Sequence, residues 1–177
     1  MNRRSMLAAT SIVAATVGAV GALQAATEDV GEGCEGAVRA LKGWIDAISR
    51  RDFDYLERHL AEEFAFTSVP MRVPSGAVIR INKNKREFIE QDRHVYNSRI
   101  ELLRLTALRL GDLVITVVLA RISEEFRGDL GPQLPSAAEM SAFAKDRTLG
   151  YASGWREIDG RWQCTSHHVL GDVTRTE

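Results

Sequence analysis

The sequence predicts an α+β domain, and three observations carry that prediction. Apolar residues recur at three- and four-residue spacing from Ala37 to Ile48, which is one face of a helix. From Arg99 onward the pattern changes to long runs rich in Val, Ile and Leu, punctuated by Gly111-Asp112 and Asp159-Gly160, the residue types of tight hairpin turns. Helices come first and hairpin-linked strands follow, an order that packs helices on an antiparallel sheet instead of alternating βαβ units.

In the first helix Ala37, Val38, Leu41, Trp44, Ile45 and Ile48 share a side, and "SRRD" ends it. Asp52 can accept from the free amides of a first turn, so it caps a second helix with Phe53, Leu56 and Leu60 inside and Tyr55 and His59 flanking them. "FAFTSV" (64–69) alternates as a strand, "PMRVPSG" turns, and "AVIRIN" (77–82) reads as another strand. Asn84 followed by Glu87 is a capping box that opens a third helix, "KREFIEQDRHVY" (85–96). Phe88, Ile89, Val95 and Tyr96 define its apolar face, and Asp92 falls in the middle, four residues from both Phe88 and Tyr96.

"RIELLRLTALRLGDLVITVVLARISEEF" is two long strands, apolar on both faces and therefore central in the sheet. Residues 127–147 form an insertion, long for a hairpin connection, whose helical piece "PSAAEMSAFAKD" is capped by Ser136 and Glu139. With Met140 and Phe143 on one side, it is expected to close over a cavity mouth. Two final strands, "TLGYASGWREI" and "RWQCTSHHVL", meet at Asp159-Gly160.

Residues 1–25, "MNRRSMLAATSIVAATVGAVGALQA", have a basic head, an apolar run diluted by Gly and Thr, and small residues before an acidic stretch. That layout predicts a cleavable export signal, and Arg3-Arg4 before "SML" resembles a twin-arginine signal, so residues 26–177 would form one exported domain, periplasmic or secreted. The whole chain carries a formal charge of −1, and losing Arg3 and Arg4 makes it slightly more negative. Such a balance supplies no field for nucleic acid, and the basic cluster "RINKNKR" (80–86) reads as a solvated turn. No membrane association is expected once the leader is removed. Cys34 and Cys164 permit one disulfide if the domain folds in an oxidising compartment, and remain thiols if it folds before export.

Three stretches, "WIDAISRRDFDYLERHLAEEFAF", "NKREFI" and "GWREIDGRWQCTSHHV", carry a resemblance to the nuclear transport factor 2-like superfamily over roughly residues 35–171. The resemblance implies a cone, a curved, mostly antiparallel sheet wrapped around three helices with an internal cavity. It also implies a closing histidine that looks into that cavity, at His168 here. Isomerases, dehydratases, cyclases and non-catalytic association domains share this fold. The ketosteroid isomerase positions for base, tyrosine acid and second acid fall at Ser68, Trp44 and near Ser153, and none matches, so that mechanism does not transfer.

Counting outward from Asp159-Gly160 pairs Trp155 with Cys164, Ser153 with Ser166 and Tyr151 with His168. His167 and His168 then point to opposite sides of the sheet and cannot hold one metal, and no metal site is expected. The aromatic face should be the inner one, which puts His168 inside beside Tyr151 and His167 outside. A carboxylate on a buried stripe is costly unless paired, so an internal Asp92 would orient His168 as a base, with Tyr96 or Tyr151 as hydroxyl donor. Trp155, Trp44, Tyr55, Phe88, Met140 and Phe143 would line the substrate pocket.

The sequence contains no phosphate loop, nucleophile elbow or protease-type Cys/His pairing. The expected activity is therefore cofactor-free acid–base chemistry, of lyase or isomerase type, on a small hydrophobic molecule, aromatic or polycyclic. The alternative is an exported ligand-binding or association module of the same fold. In either reading Gly150, Ala152 and Gly154 leave room for a second sheet to approach, and a homodimer is expected.

Overall fold

The computed structural model describes residues 27–131 and 134–173; the expected export segment lies outside the described residues. The first helix, α1 (Glu35–Arg50), buries Ala37, Val38, Ala40, Leu41, Trp44 and Ala47. Arg51 ends it in the left-handed conformation, and Asp52 accepts from the Tyr55 amide at 3.0 Å to start α2 (Phe53–His59). The two helices come so close that a Cβ on Gly43 would lie 2.1 Å from Tyr55 Oη. The capping box of Asn84 and Glu87 opens α3 (Lys85–Asp92) as expected, and Ser136 caps α4 (Ala137–Ala144).

The strands are β1 (Thr27–Val30), β2 (Leu60–Ser68), β3 (Met71–Arg72), β4 (Val78–Ile79), β5 (Asn82–Asn84), β6 (Val95–Leu110), β7 (Leu113–Phe126), β8 (Arg147–Ile158) and β9 (Arg161–Asp172). Seven of them form one sheet in the order β1-β6-β7-β8-β9-β2-β5, while β3 and β4 pair separately. Within the sheet β1–β6 and β2–β9 run parallel and the remaining pairs antiparallel. The sheet curves around the helices, and its inner residues Val118, Ala120, Ile122, Leu149 and Trp155 join Leu41, Trp44, Leu56 and Phe88 in one core. Burial of these side chains is the main stabilising term, since each large one removed from water contributes about 1.5–3 kcal/mol.

Two expectations are corrected here. The third helix ends at Asp92, because the Arg93 and His94 amides close its last turn on Ile89 O and Gln91 O and the chain then enters β6 at Val95. Strand alternation sends Val95 inward and Tyr96 outward, 44% exposed, with the Arg127 guanidinium over its ring. Of the two states left open for the cysteines, Cys34 and Cys164 are buried free thiols.

The second correction is one of register. The last hairpin follows the count from Asp159-Gly160 through Ile158↔Arg161, Glu157↔Trp162 and Trp155↔Cys164. A bulge then intervenes: Gly154 lies opposite Ser166 instead of Thr165. Thr165 is the extra residue, and its hydroxyl donates to Gly154 O at 3.2 Å. Beyond it Ser153 faces His167, Ala152 faces His168 and Tyr151 faces Val169, so these three β9 side chains sit on the opposite face from the simple count, until a second irregularity at Gly150.

Candidate functional site

A cavity of about 130 Å³ lies between the inner face of the sheet and α1, α3 and α4. Since about 10–15 Å³ of such space holds a water, it has room for a small organic molecule. Its wall is largely apolar, with Leu41, Phe66, Phe88, Val118, Phe126 and Leu149 among the lining residues. Set into that wall are Trp44, Gln91, Asp92, Glu124, Tyr151, Ser153 and His167.

His167 occupies the position expected for His168. Its ring lies between Tyr151 on one side, 5.1 Å between centroids, and Phe66 on the other at 5.5 Å, with Trp44 edge-on at 4.6 Å. Ser153, directly opposite on β8, hydrogen-bonds Nδ1 at 2.8 Å, which fixes the ring and leaves Nε2 for other partners. Burial, with the neighbouring His168, pushes the imidazole down to about 3, so His167 is neutral at physiological pH. His168 is on the outer face, half-buried, with Nδ1 against Thr67 Oγ1 at 2.5 Å and its side chain in a shallow groove with Leu108, Leu113 and Ile115.

Asp92 does face the cavity, as its place on the α3 stripe implied, but no hydrogen bond or ion pair joins it to either histidine. Its Oδ2 is buried without a hydrogen-bond partner, and the same holds for Gln91 Oε1 and for the Trp44 indole nitrogen. Burial, reinforced by the nearby Glu124, holds the Asp92 carboxyl well above the ordinary range. Glu124 is also raised by burial, while a hydrogen bond from Ser98 at 3.3 Å works the other way. Burial and then Glu124 push the Tyr151 hydroxyl above the ordinary phenol range, against a smaller opposite effect of Arg147.

The sequence reading missed Glu124. It continues the inward row Val118, Ala120, Ile122 and precedes Phe126 in it, so period-two alternation along β7 was the available signal. Trp44, Phe88, Met140, Phe143, Asp92 and Tyr151 line the cavity as expected; Trp155, Tyr55, Tyr96 and His168 do not. Trp155 is fully buried one layer back, with its indole N–H donating to Thr116 Oγ1 at 3.0 Å. Tyr55 is held at the α1–α2 contact, stacked on His59 and donating to Ala40 O.

The sequence matches no family model and no curated protein. Solved structures do match. A nuclear transport factor 2-like protein from Cytophaga hutchinsonii superposes with a TM-score of 0.57 at 19% identity, over 80% of this chain and 99% of that one. Another from Rhodospirillum rubrum gives 0.54 at 21% identity, over 78% and 98%. A candidate ketosteroid isomerase from Shewanella frigidimarina gives 0.53 at 14% identity, over 80% and 98%. The fold is that of the nuclear transport factor 2-like proteins.

Within this nuclear transport factor 2-like cone the ionisable groups have their own placement. Ser68, the position that the sequence resemblance assigns to a base, has its hydroxyl accepting from the Ile81 amide at 2.8 Å. The carboxyls come instead from the end of α3 and from β7. Among the described residues no group of three or more His, Cys, Asp and Glu side chains is arranged to hold a metal ion.

Proposed function

We propose that this protein is an acid–base enzyme of lyase or isomerase type that acts on a small apolar substrate bearing a carbonyl group. The observation that carries the reading is the pair of orphaned polar atoms in one apolar cavity: a carboxylate oxygen, Asp92 Oδ2, and an N–H donor, Trp44 Nε1. Groups buried without partners cost about 1–3 kcal/mol each, and a bound substrate relieves that cost. A carboxyl raised by its surroundings is a better base near neutrality than an ordinary one.

In this reading Asp92 removes a proton from the carbon beside the carbonyl. The C–H electron pair forms a carbon–carbon double bond as the carbonyl π pair moves onto oxygen, and Asp92 holds the proton as a neutral acid. The oxyanion is stabilised by the Trp44 N–H and by neutral His167, whose Nε2 carries the proton when Ser153 donates to Nδ1. Return of the proton to another carbon completes an isomerisation, and departure of a group from the adjacent carbon completes an elimination. Tyr151 packs on the imidazole and supplies a further hydroxyl to the same wall.

The test is a mass-spectrometric screen of aromatic and polyketide-like ketones with the wild-type protein, repeated with Asp92→Asn. Turnover that falls about 10²–10⁴-fold in the variant, the scale of a positioned base, supports the reading. Conversion that survives in Asp92→Asn removes Asp92 as the base, and a wild-type protein that converts nothing while binding a ligand replaces the reading with the binding module.

A further inference from the structure

We infer that the ligand of this cavity carries a protonated amino group, with the Glu124 carboxylate as its counter-ion. The inference rests on the reading above for the site but addresses its opposite chemical need, the orphaned acceptors. Three acceptor-bearing side chains, Gln91, Asp92 and Glu124, line the same cavity, and Gln91 Oε1 and Asp92 Oδ2 are buried without any donor. No Lys or Arg side chain lines the cavity among the described residues, so the protein offers these carboxyls no cation of its own there.

A hydroxyl ligand brings one donor to these acceptors, whereas an ammonium brings three and a charge of the right sign. The rings of Trp44, Phe66, Phe88, Phe126 and Phe143 line the same space, and aromatic faces tolerate a cation where aliphatic walls do not. The two carboxyls are not equivalent. Ser98 donates to Glu124 and favours its ionised form, while Asp92 has no such donor on Oδ2. Glu124 is thereby suited to stay charged against the ammonium, leaving Asp92 to exchange a proton; two acids in different surroundings take different roles. Arg147 faces this region from the start of β8, but its guanidinium is already paired with Asp172 and lies over the Phe143 ring.

The probes are 2-phenylethylamine, 2-phenylethanol and 3-phenylpropanoate, which share one apolar body and differ in the head group. Calorimetry on the full chain at neutral pH should show the amine binding at least about tenfold more tightly than the alcohol, a difference of ~1.4 kcal/mol, and the acid binding weakest. Repeating the titration in buffers of different ionisation enthalpy should show net proton release as the amine enters, because a cation beside buried carboxyls favours their ionised form. Glu124→Gln, a neutral isostere that relieves a buried charge and so retains the fold, should remove the amine's advantage, bringing amine and alcohol affinities within about twofold of each other.

Alcohol binding as tight as amine binding, amine affinity unchanged in Glu124→Gln, or no amine binding at millimolar concentration overturns the inference. The two readings fail separately. Ketone turnover in a protein that rejects the amine leaves the acid–base proposal standing alone, and amine binding in a protein that converts nothing leaves the ligand class standing alone.

Discussion

Asp92 and His167 leave opposite marks on stability. The folded-state carboxyl of Asp92 is raised above its unfolded value, so the stability linked to its proton is fully present below about pH 4 and is lost as pH rises through the folded value. His167 is depressed from 6.5 to about 3, so its contribution is fully present above pH 6.5 and is lost as pH falls toward 3. Thermal melts across pH should therefore find Asp92→Asn more stable than wild type at pH 8, with the gap closing toward pH 4. His167→Gln should flatten the acid limb, whose slope from one such group is at most about 1.4 kcal/mol per pH unit. An Asp92→Asn protein that melts lower than wild type at pH 8 would show that the carboxylate is paired after all. Asp92 was legible as a candidate because a charge follows Phe88 and Ile89 at three- and four-residue spacing on a helical apolar stripe. Glu124 was not, because a strand that reads as apolar on both faces hides which face a late charge occupies.

At the level of the element, the β8–β9 hairpin shows where sequence counting succeeds and where it stops. Asp159 and Gly160 both take positive φ, so the turn type was legible and the register held for the first four residues on each side, to Trp155 and Cys164. A bulge adds one residue with no composition of its own, and that single residue exchanged the roles of two adjacent histidines. A trace of it was present: both irregularities of this pairing occur at β8 glycines, Gly154 and Gly150, and a glycine inside a strand marks such sites. A Cβ on Gly154 would lie 2.9 Å from Ser166 Oγ and 3.2 Å from Thr165 Oγ1. Gly154→Val should accordingly cost about 1–3 kcal/mol in denaturant melts despite valine's preference for strands. Deleting Thr165 in the same variant should recover part of that loss, since it removes the extra residue and leaves Ser153 opposite His167. A Gly154→Val protein as stable as wild type would deny the bulge its place.

For the molecule as a whole, fold class and cavity were readable because they follow from element order and from which faces are apolar. The wall contributed by residues 127–147 has a different character from the expected cover. Met140, Phe143 and Ala144 are buried in the common core, Ser141 Oγ holds the Phe126 amide at 2.8 Å, and Arg147 ties the end of α4 to Asp172 of β9. The segment is thus a structural side of the cone as well as a lining of its cavity. Met140→Ala should lower stability by about 2 kcal/mol, the low end for such truncations because existing space already adjoins the side chain. It should also shift ligand preference toward longer apolar bodies, which calorimetry with a homologous series of phenylalkylamines would measure. An unchanged length preference would remove α4 from the binding surface.

The adjacent histidines also give the molecule a built-in observer. His167 meets whatever enters the cavity, and His168, one peptide bond away, looks out from the other side of the sheet. The imidazole resonances of His168 can then be followed by NMR while compounds are added, reporting occupancy through the sheet from a residue that the ligand never touches.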